Sequence, residues 1–181
     1  MFSYFFGSFG NFAGFISLVL YIFTLLPTLV RLFIKPFKKT GWNRFLTKRR
    51  REIGVIAWVF GVFHGTYILI ERDLNFFELN TIKNYFQGLT LITIFTLLAI
   101  TSNDFSQKKL KTNWKKLHRL TYLVLIFLPW HILDKMFKTG NNPTIWTYIG
   151  LVMLLPVTIL SLLRFFKYLK DFVKIKRAKN N

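Results

Sequence analysis

The 181-residue chain is 52% hydrophobic and 19% aromatic, with 22 Phe, yet it carries a formal charge of +19. Its apolar residues gather in long blocks with cations between them. This excludes a soluble globular domain and a nucleic-acid-binding face, and points to helices crossing a bilayer between basic loops. The chain has no cysteine, which excludes disulfides, thiolate metal sites and iron–sulfur clusters.

Five apolar segments follow in chain order, at 12–30, 53–70, 85–101, 117–133 and 145–163. Each is just long enough to span a hydrocarbon core of about 30 Å at about 1.5 Å per residue. Met1–Gly10 carries no basic residue and the run after it is longer than a leader's, so the first segment is expected to be a retained helix. Pro27 and Pro156 lie within segments, which neighbouring helices tolerate inside a membrane. No repeat divides the chain, and the expected architecture is all-α: one polytopic helical bundle over 1–181.

Loop charge predicts its orientation. Arg31–Arg51 contains nine Lys or Arg and no acid, whereas Glu71–Asn84 sets two basic residues against Glu71, Asp73 and Glu78. The next loop is basic again, with Lys108, Lys109, Lys111, Lys115, Lys116 and Arg119. The fourth has Lys135 and Lys138 with Asp134, and the tail from Arg164 holds seven cations. This unbroken alternation suits five spans, with the N-terminus outside and the C-terminus cytoplasmic. The net charge is then mainly a topology signal, and membrane lipid is the anionic partner it implies.

The side chains available for metal chemistry are His64, His118 and His131, all within or at the end of a predicted span. An ionisable residue there is costly and marks a functional site, although a single intramembrane histidine also serves as a helix–helix hydrogen-bond partner. Helix rise places His64 about 18 Å and His131 about 22 Å from the cytoplasmic ends of their segments, at nearly matched depth. His118 lies about 20 Å below His131. Two imidazoles at one depth on different helices suit the axial positions of a b-type haem, a closed ligand set that favours electron transfer. Gly54, Gly61 and Gly65 flank His64. Gly61-x-x-x-Gly65 makes a flat strip for a macrocycle or for another helix, and the sequence leaves both open. His118, among cations, is a candidate for a second haem or for binding a haem propionate or a flavin. Arg50, Arg51, Lys115 or Arg119 would neutralise the acid, and an interfacial structural role is the bland alternative.

These residues also carry a resemblance. Arg50-Arg51-Glu52-Ile53-Gly54 with His64 and Tyr67, Thr101-Ser102-Asn103, and Trp114-x-x-Leu117-His118-Arg119-Leu120-x-Tyr122 with His131 resemble the ferric-reductase-like transmembrane domain family. Thr40-Gly41-Trp42-Asn43 adds to the likeness, in particular to the haem-binding membrane subunits of bacterial protein-methionine-sulfoxide reductase systems (the MsrQ type). The resemblance covers roughly residues 10–133. It implies a multi-pass subunit of a bacterial inner membrane that binds haem b, with FMN as a second candidate cofactor. His64 and His131 would be the iron ligands and His118 the family's third histidine position, with Arg51 and Arg119 kept, from their charge beside His118, as further cofactor-binding candidates. Electrons would come from a cytosolic flavin reductase or the quinone pool and pass to a periplasmic molybdopterin-containing methionine-sulfoxide reductase catalytic subunit. Members commonly have six spans, and this chain begins at what would be their second.

No Gly-rich strand–turn–helix motif is present, so the chain is expected to be a redox subunit of such a system rather than a stand-alone enzyme. The competing readings are a surface ferric or cupric reductase, with Glu71, Asp73 and Glu78 attracting metal cations, and a transporter or structural subunit. The latter lacks the paired intramembrane acids of ion pathways.

Overall fold

A computed structural model describes residues 9–33, 39–75, 77–137 and 143–180, with side chains left aside at 31–33, 165 and 167–180. The expectations for Met1–Ser8, Lys35, Lys38 and Lys138, and for the side chains of most tail cations, fall outside the described residues. All regular structure described is helical. The long helices are α1 (Phe9–Phe33), α3 (Arg50–Glu71), α4 (Leu79–Ile100), α7 (Thr121–Phe137) and α8 (Ile145–Asn180). Short helices connect them: α2 (Gly41–Lys48) before α3, then α5 (Asp104–Leu110) and α6 (Thr112–Leu117) before a 3-10 turn, His118–Leu120.

Four helical stretches are long and apolar enough to cross a membrane, among them Thr112–Phe137 taken through its 3-10 turn. The fifth, α4, qualifies only together with α5, from which it is bent by 92°. Asn80, Thr81, Lys83, Asn84 and Gln87 dilute its first turns. Thr81 and Gln87 are buried, so part of that polarity faces protein rather than lipid.

α1 is the central helix. Leu18, Tyr21, Ile22, Leu25 and Leu29 are buried and meet Leu91 and Ile94 of α4, Val124 and Leu125 of α7, and Leu154 and Val157 of α8. The outside is as apolar as the inside. Ile56, Val59, Phe63, Leu97, Ile126, Val152 and Ile159 are exposed, a surface that suits lipid and would drive aggregation in water.

Polar groups inside the bundle tie helices together. The Ser17 hydroxyl donates to the Ala57 carbonyl at 2.8 Å, and Trp58 Nε1–H donates to Thr96 Oγ1 at 2.9 Å. The Tyr21 hydroxyl donates to the Thr121 carbonyl at 2.7 Å, pinning α1 to the start of α7. Such bonds in membrane bundles contribute about 0.6–1.7 kcal/mol. Tyr21→Phe is therefore expected to lower thermal stability in detergent by roughly that amount, with the ring's packing kept; an unchanged melting temperature would count against the bond's contribution.

The basic loops converge at one end of the bundle. The Arg51 guanidinium donates to Asp104, and at 2.9 Å to Gln107 Oε1, joining the start of α3 to α5. That contact holds the Asp104 carboxyl below its ordinary range. Arg164 Nη1 donates to the Tyr122 hydroxyl at 2.5 Å, bringing α8 to the same end. α2 lies there too. Thr40 caps it by accepting from the Asn43 N–H at 3.3 Å, Leu46 is buried, and Trp42 and Phe45 are exposed beside Arg44 and Lys48. That is the pattern of a helix resting in a headgroup layer.

Candidate functional site

The three histidines divide between two cavities. His64 of α3 and His131 of α7 face each other in the upper one, ring centroids 6.5 Å apart and planes at 86°. An imidazole nitrogen sits about 2 Å from a bound first-row metal, so two imidazoles on opposite faces of one ion have ring centres roughly 6 Å apart. The pair fits that spacing as it stands.

One of the two rings, that of His64, is held from behind. His64 Nδ1–H donates to the Gly10 carbonyl of α1 at 2.7 Å. This fixes one tautomer and turns Nε2 outward, as a backbone carbonyl commonly does behind a metal-binding histidine. His131 Nδ1 is buried and has no hydrogen-bond partner among the described residues. An orphaned buried nitrogen costs about 1–3 kcal/mol, and a nitrogen that binds a metal has a reason to bear it. Pro129 stands two residues before His131 within α7. Lacking an N–H, it removes one bond of the helix ladder, the one to the Leu125 carbonyl.

The upper cavity measures about 760 Å³, within the ~300–1,000 Å³ range of small-molecule and cofactor sites. Phe15, Leu18, Leu91, Ile92, Phe95 and Leu128 give it apolar walls, while Arg72, Tyr85 and Lys135 stand among its polar lining. The glycines make room for it unequally. A Cβ on Gly14 would lie 2.9 Å from His64 Nδ1, and one on Gly88 would lie 3.4 Å from His131 Cε1. A Cβ on Gly61 would lie 3.2 Å from Ser17 Oγ, and one on Gly65 3.3 Å from Ile92 Cδ1. The strip left open by the sequence therefore serves close helix packing as well as lining the cavity. Gly14 and Gly88 were not among the predicted site residues. Gly10-x-x-x-Gly14 on the first helix is a small-residue motif of the same kind as Gly61-x-x-x-Gly65, and could have signalled the first of them.

His118, Arg51 and Arg119 do not join this pair. They line a second cavity of about 280 Å³ at the basic end, with Arg50, Lys115, Trp114, Tyr21 and Tyr122. His118 shares the membrane-length stretch Thr112–Phe137 with His131, but its α-helical ladder is broken there by a 3-10 turn at His118–Leu120. Local anchors account for the break. Trp114 Nε1–H donates to the Thr101 carbonyl at 2.8 Å, and the Trp114 ring stacks on His118 with centroids 4.0 Å apart. The Thr101 hydroxyl donates to the Leu97 carbonyl at 2.7 Å, so toward His118 Nε2, 3.2 Å away, it acts as acceptor of the Nε2–H hydrogen bond. His118 is thus engaged at Nε2 and covered on one face.

Among the described residues, those of the loop with Glu71, Asp73 and Glu78 included, no group of three or more His, Asp or Glu could hold an ion.

Comparison with known proteins agrees with this architecture. The chain is 32% identical over 132 residues to the protein-methionine-sulfoxide reductase heme-binding subunit MsrQ of Salmonella arizonae, covering 70% of this chain and 66% of that protein. Subunits of the same name from Salmonella paratyphi B and Salmonella newport are 30% identical over the same shares. The chain thus spans just under two thirds of the length of these curated relatives. Residues 13–129 match the family described as ferric reductase like transmembrane component, a stretch that contains α3, α4 and most of α1. This chain is a multi-pass membrane protein belonging to the ferric reductase like transmembrane component family.

Proposed function

We propose that the chain is a single helical domain that binds haem b and acts as the membrane electron-transfer subunit of a protein-methionine-sulfoxide reductase system. The observation that carries the reading is the facing of His64 and His131 across an apolar cavity, one imidazole already oriented by the Gly10 carbonyl. When bound there, haem supplies a one-electron carrier within the hydrocarbon layer. The protein's own residues would hold it: His64, oriented by the Gly10 carbonyl, and His131 would offer their ring nitrogens to the iron, and the apolar walls would keep water away.

The basic end, with Arg50, Arg51, Lys115 and Arg119, faces the cytoplasm of a bacterial inner membrane on this reading. It docks an acidic flavin reductase or receives a quinol, and the cations around the small cavity beside His118 suit the phosphate of FMN. There His118 is a positioning residue, because its Nε2–H is already engaged in a hydrogen bond to the Thr101 hydroxyl. The opposite end meets a periplasmic molybdopterin-containing catalytic subunit. The names of the Salmonella relatives, with about 30% identity, support the assignment.

The test is spectroscopic and then functional. Purified protein should show a low-spin b-type spectrum, be reduced by a flavin reductase with NADH or by quinol, and be reoxidised by a protein methionine sulfoxide only when the catalytic subunit is present. Colourless protein after haem-replete expression would end the proposal. Reoxidation by ferric or cupric ions alone would favour a surface metal reductase instead.

A further inference from the structure

Loop charge makes the outer end of the bundle poor in cations, yet two of the few it has line the upper cavity. Arg72 caps α3 eight residues after His64, and Lys135 follows His131 by four residues on α7. Both spacings repeat a helical face, which puts each cation above its own histidine, on the side away from the basic end. Tyr85 of α4 stands between them. Arg72 Nη1–H donates to the Tyr85 hydroxyl at 3.2 Å, and Lys135 Nζ lies 4.0 Å over the centroid of the same ring. Lys135 is also 3.4 Å from the Asn84 carbonyl and 3.6 Å from Asp134, with only 22% of its side chain exposed. Glu71 is the acid among the cavity's lining residues. The balance in the lining is two cations to one anion, at the edge of a low-dielectric space where charge interactions are strong.

Resting on the reading that a haem sits between His64 and His131, we infer that Arg72 and Lys135, spaced by Tyr85, seat its two propionate carboxylates. The carboxylates then point to the outer end of the bundle. Arg51 and Arg119, which the sequence offered for that role, line the other cavity. Arg72 and Lys135 are positioning residues. They select the face and rotation in which the macrocycle enters, and their charge favours the reduced iron, whose centre is the less positive.

The test reconstitutes the full-length apoprotein with haem b or with its dimethyl ester, which lacks the carboxylates, and follows loss of each to excess apomyoglobin. Wild-type protein is expected to retain haem b at least about tenfold longer than the ester. The double variant R72Q/K135Q should lose that discrimination and show a lower midpoint potential while keeping a low-spin spectrum. R72K/K135R should restore much of both. Equal retention of haem and ester by the wild type would overturn the inference without any variant having to fold, and so would a double variant that still discriminates. Failure of the underlying reading looks different: the wild type would bind neither compound with a bis-imidazole spectrum.

Discussion

His64→Ala and His131→Ala are each expected to abolish the low-spin b-type spectrum, whereas His118→Ala should retain it. The contrast follows from geometry. His64 and His131 face each other at 6.5 Å, with one back nitrogen fixed by a carbonyl. His118 is in the other cavity with its Nε2 engaged by Thr101. Changes in the shell behind a metal ligand typically cost 10–100-fold in affinity, so losing the ligand itself should weaken haem retention by at least about 100-fold. Added imidazole should partly restore the spectrum in either alanine variant, which separates a missing ligand from a misfolded bundle. An unchanged spectrum in both variants would show that the iron sits elsewhere. A loss confined to His118→Ala would move it to the basic end.

Gly14→Ala should do nearly as much damage without touching either imidazole. The new Cβ would stand 2.9 Å from Nδ1 and 3.0 Å from Cγ of His64. Contacts that short cannot persist, so either the ring or a helix must move. The helices are poorly placed to yield, since Ser17 bonds the Ala57 carbonyl one turn away and α3 runs so close there that even a Cβ on Gly61 would meet Ser17 Oγ at 3.2 Å. Overpacking of this kind costs about 1–3 kcal/mol, and here it falls on the orientation of a proposed ligand. The variant should therefore lose haem and melt at a lower temperature. Gly88→Ala, at 3.4 Å from His131, should be milder. Gly41→Ala is the control, because nothing lies within 4 Å of its new methyl group. If Gly14→Ala matched Gly41→Ala in both spectrum and stability, the close approach of α1 to His64 would not matter to the site.

The pairing of His64 with His131 could be anticipated because depth in a membrane helix depends only on rise per residue, and rise hardly varies. Which faces the helices turn to one another is a different matter. A soluble helix shows its buried face as an apolar stripe, but a span surrounded by lipid is apolar on all sides, so its rotation is nearly invisible in the sequence. Gly14 and Gly88 matter through that rotation, and so do Arg72 and Lys135, which loop counting treats only as minor exceptions to the charge rule. His118 illustrates a second limit. The hydrophobic pattern runs smoothly across 117–133, but Trp114 and Thr101 hold the backbone in a 3-10 turn at His118–Leu120. Nothing in the apolar pattern marks that anchor.

The acceptor behind His64 is a main-chain oxygen, that of Gly10. No substitution can delete it; it can only be moved, and a Cβ on Gly10 would overlap the ring of Tyr67. The electronic character of the His64 imidazole is therefore set by how closely two helices lie together, not by the chemistry of any neighbouring side chain. Selection or design that aims to retune this site must act on helix spacing, through residues such as Tyr67 and Ser17, and variation in lipid thickness that tilts α1 against α3 would act on the same lever.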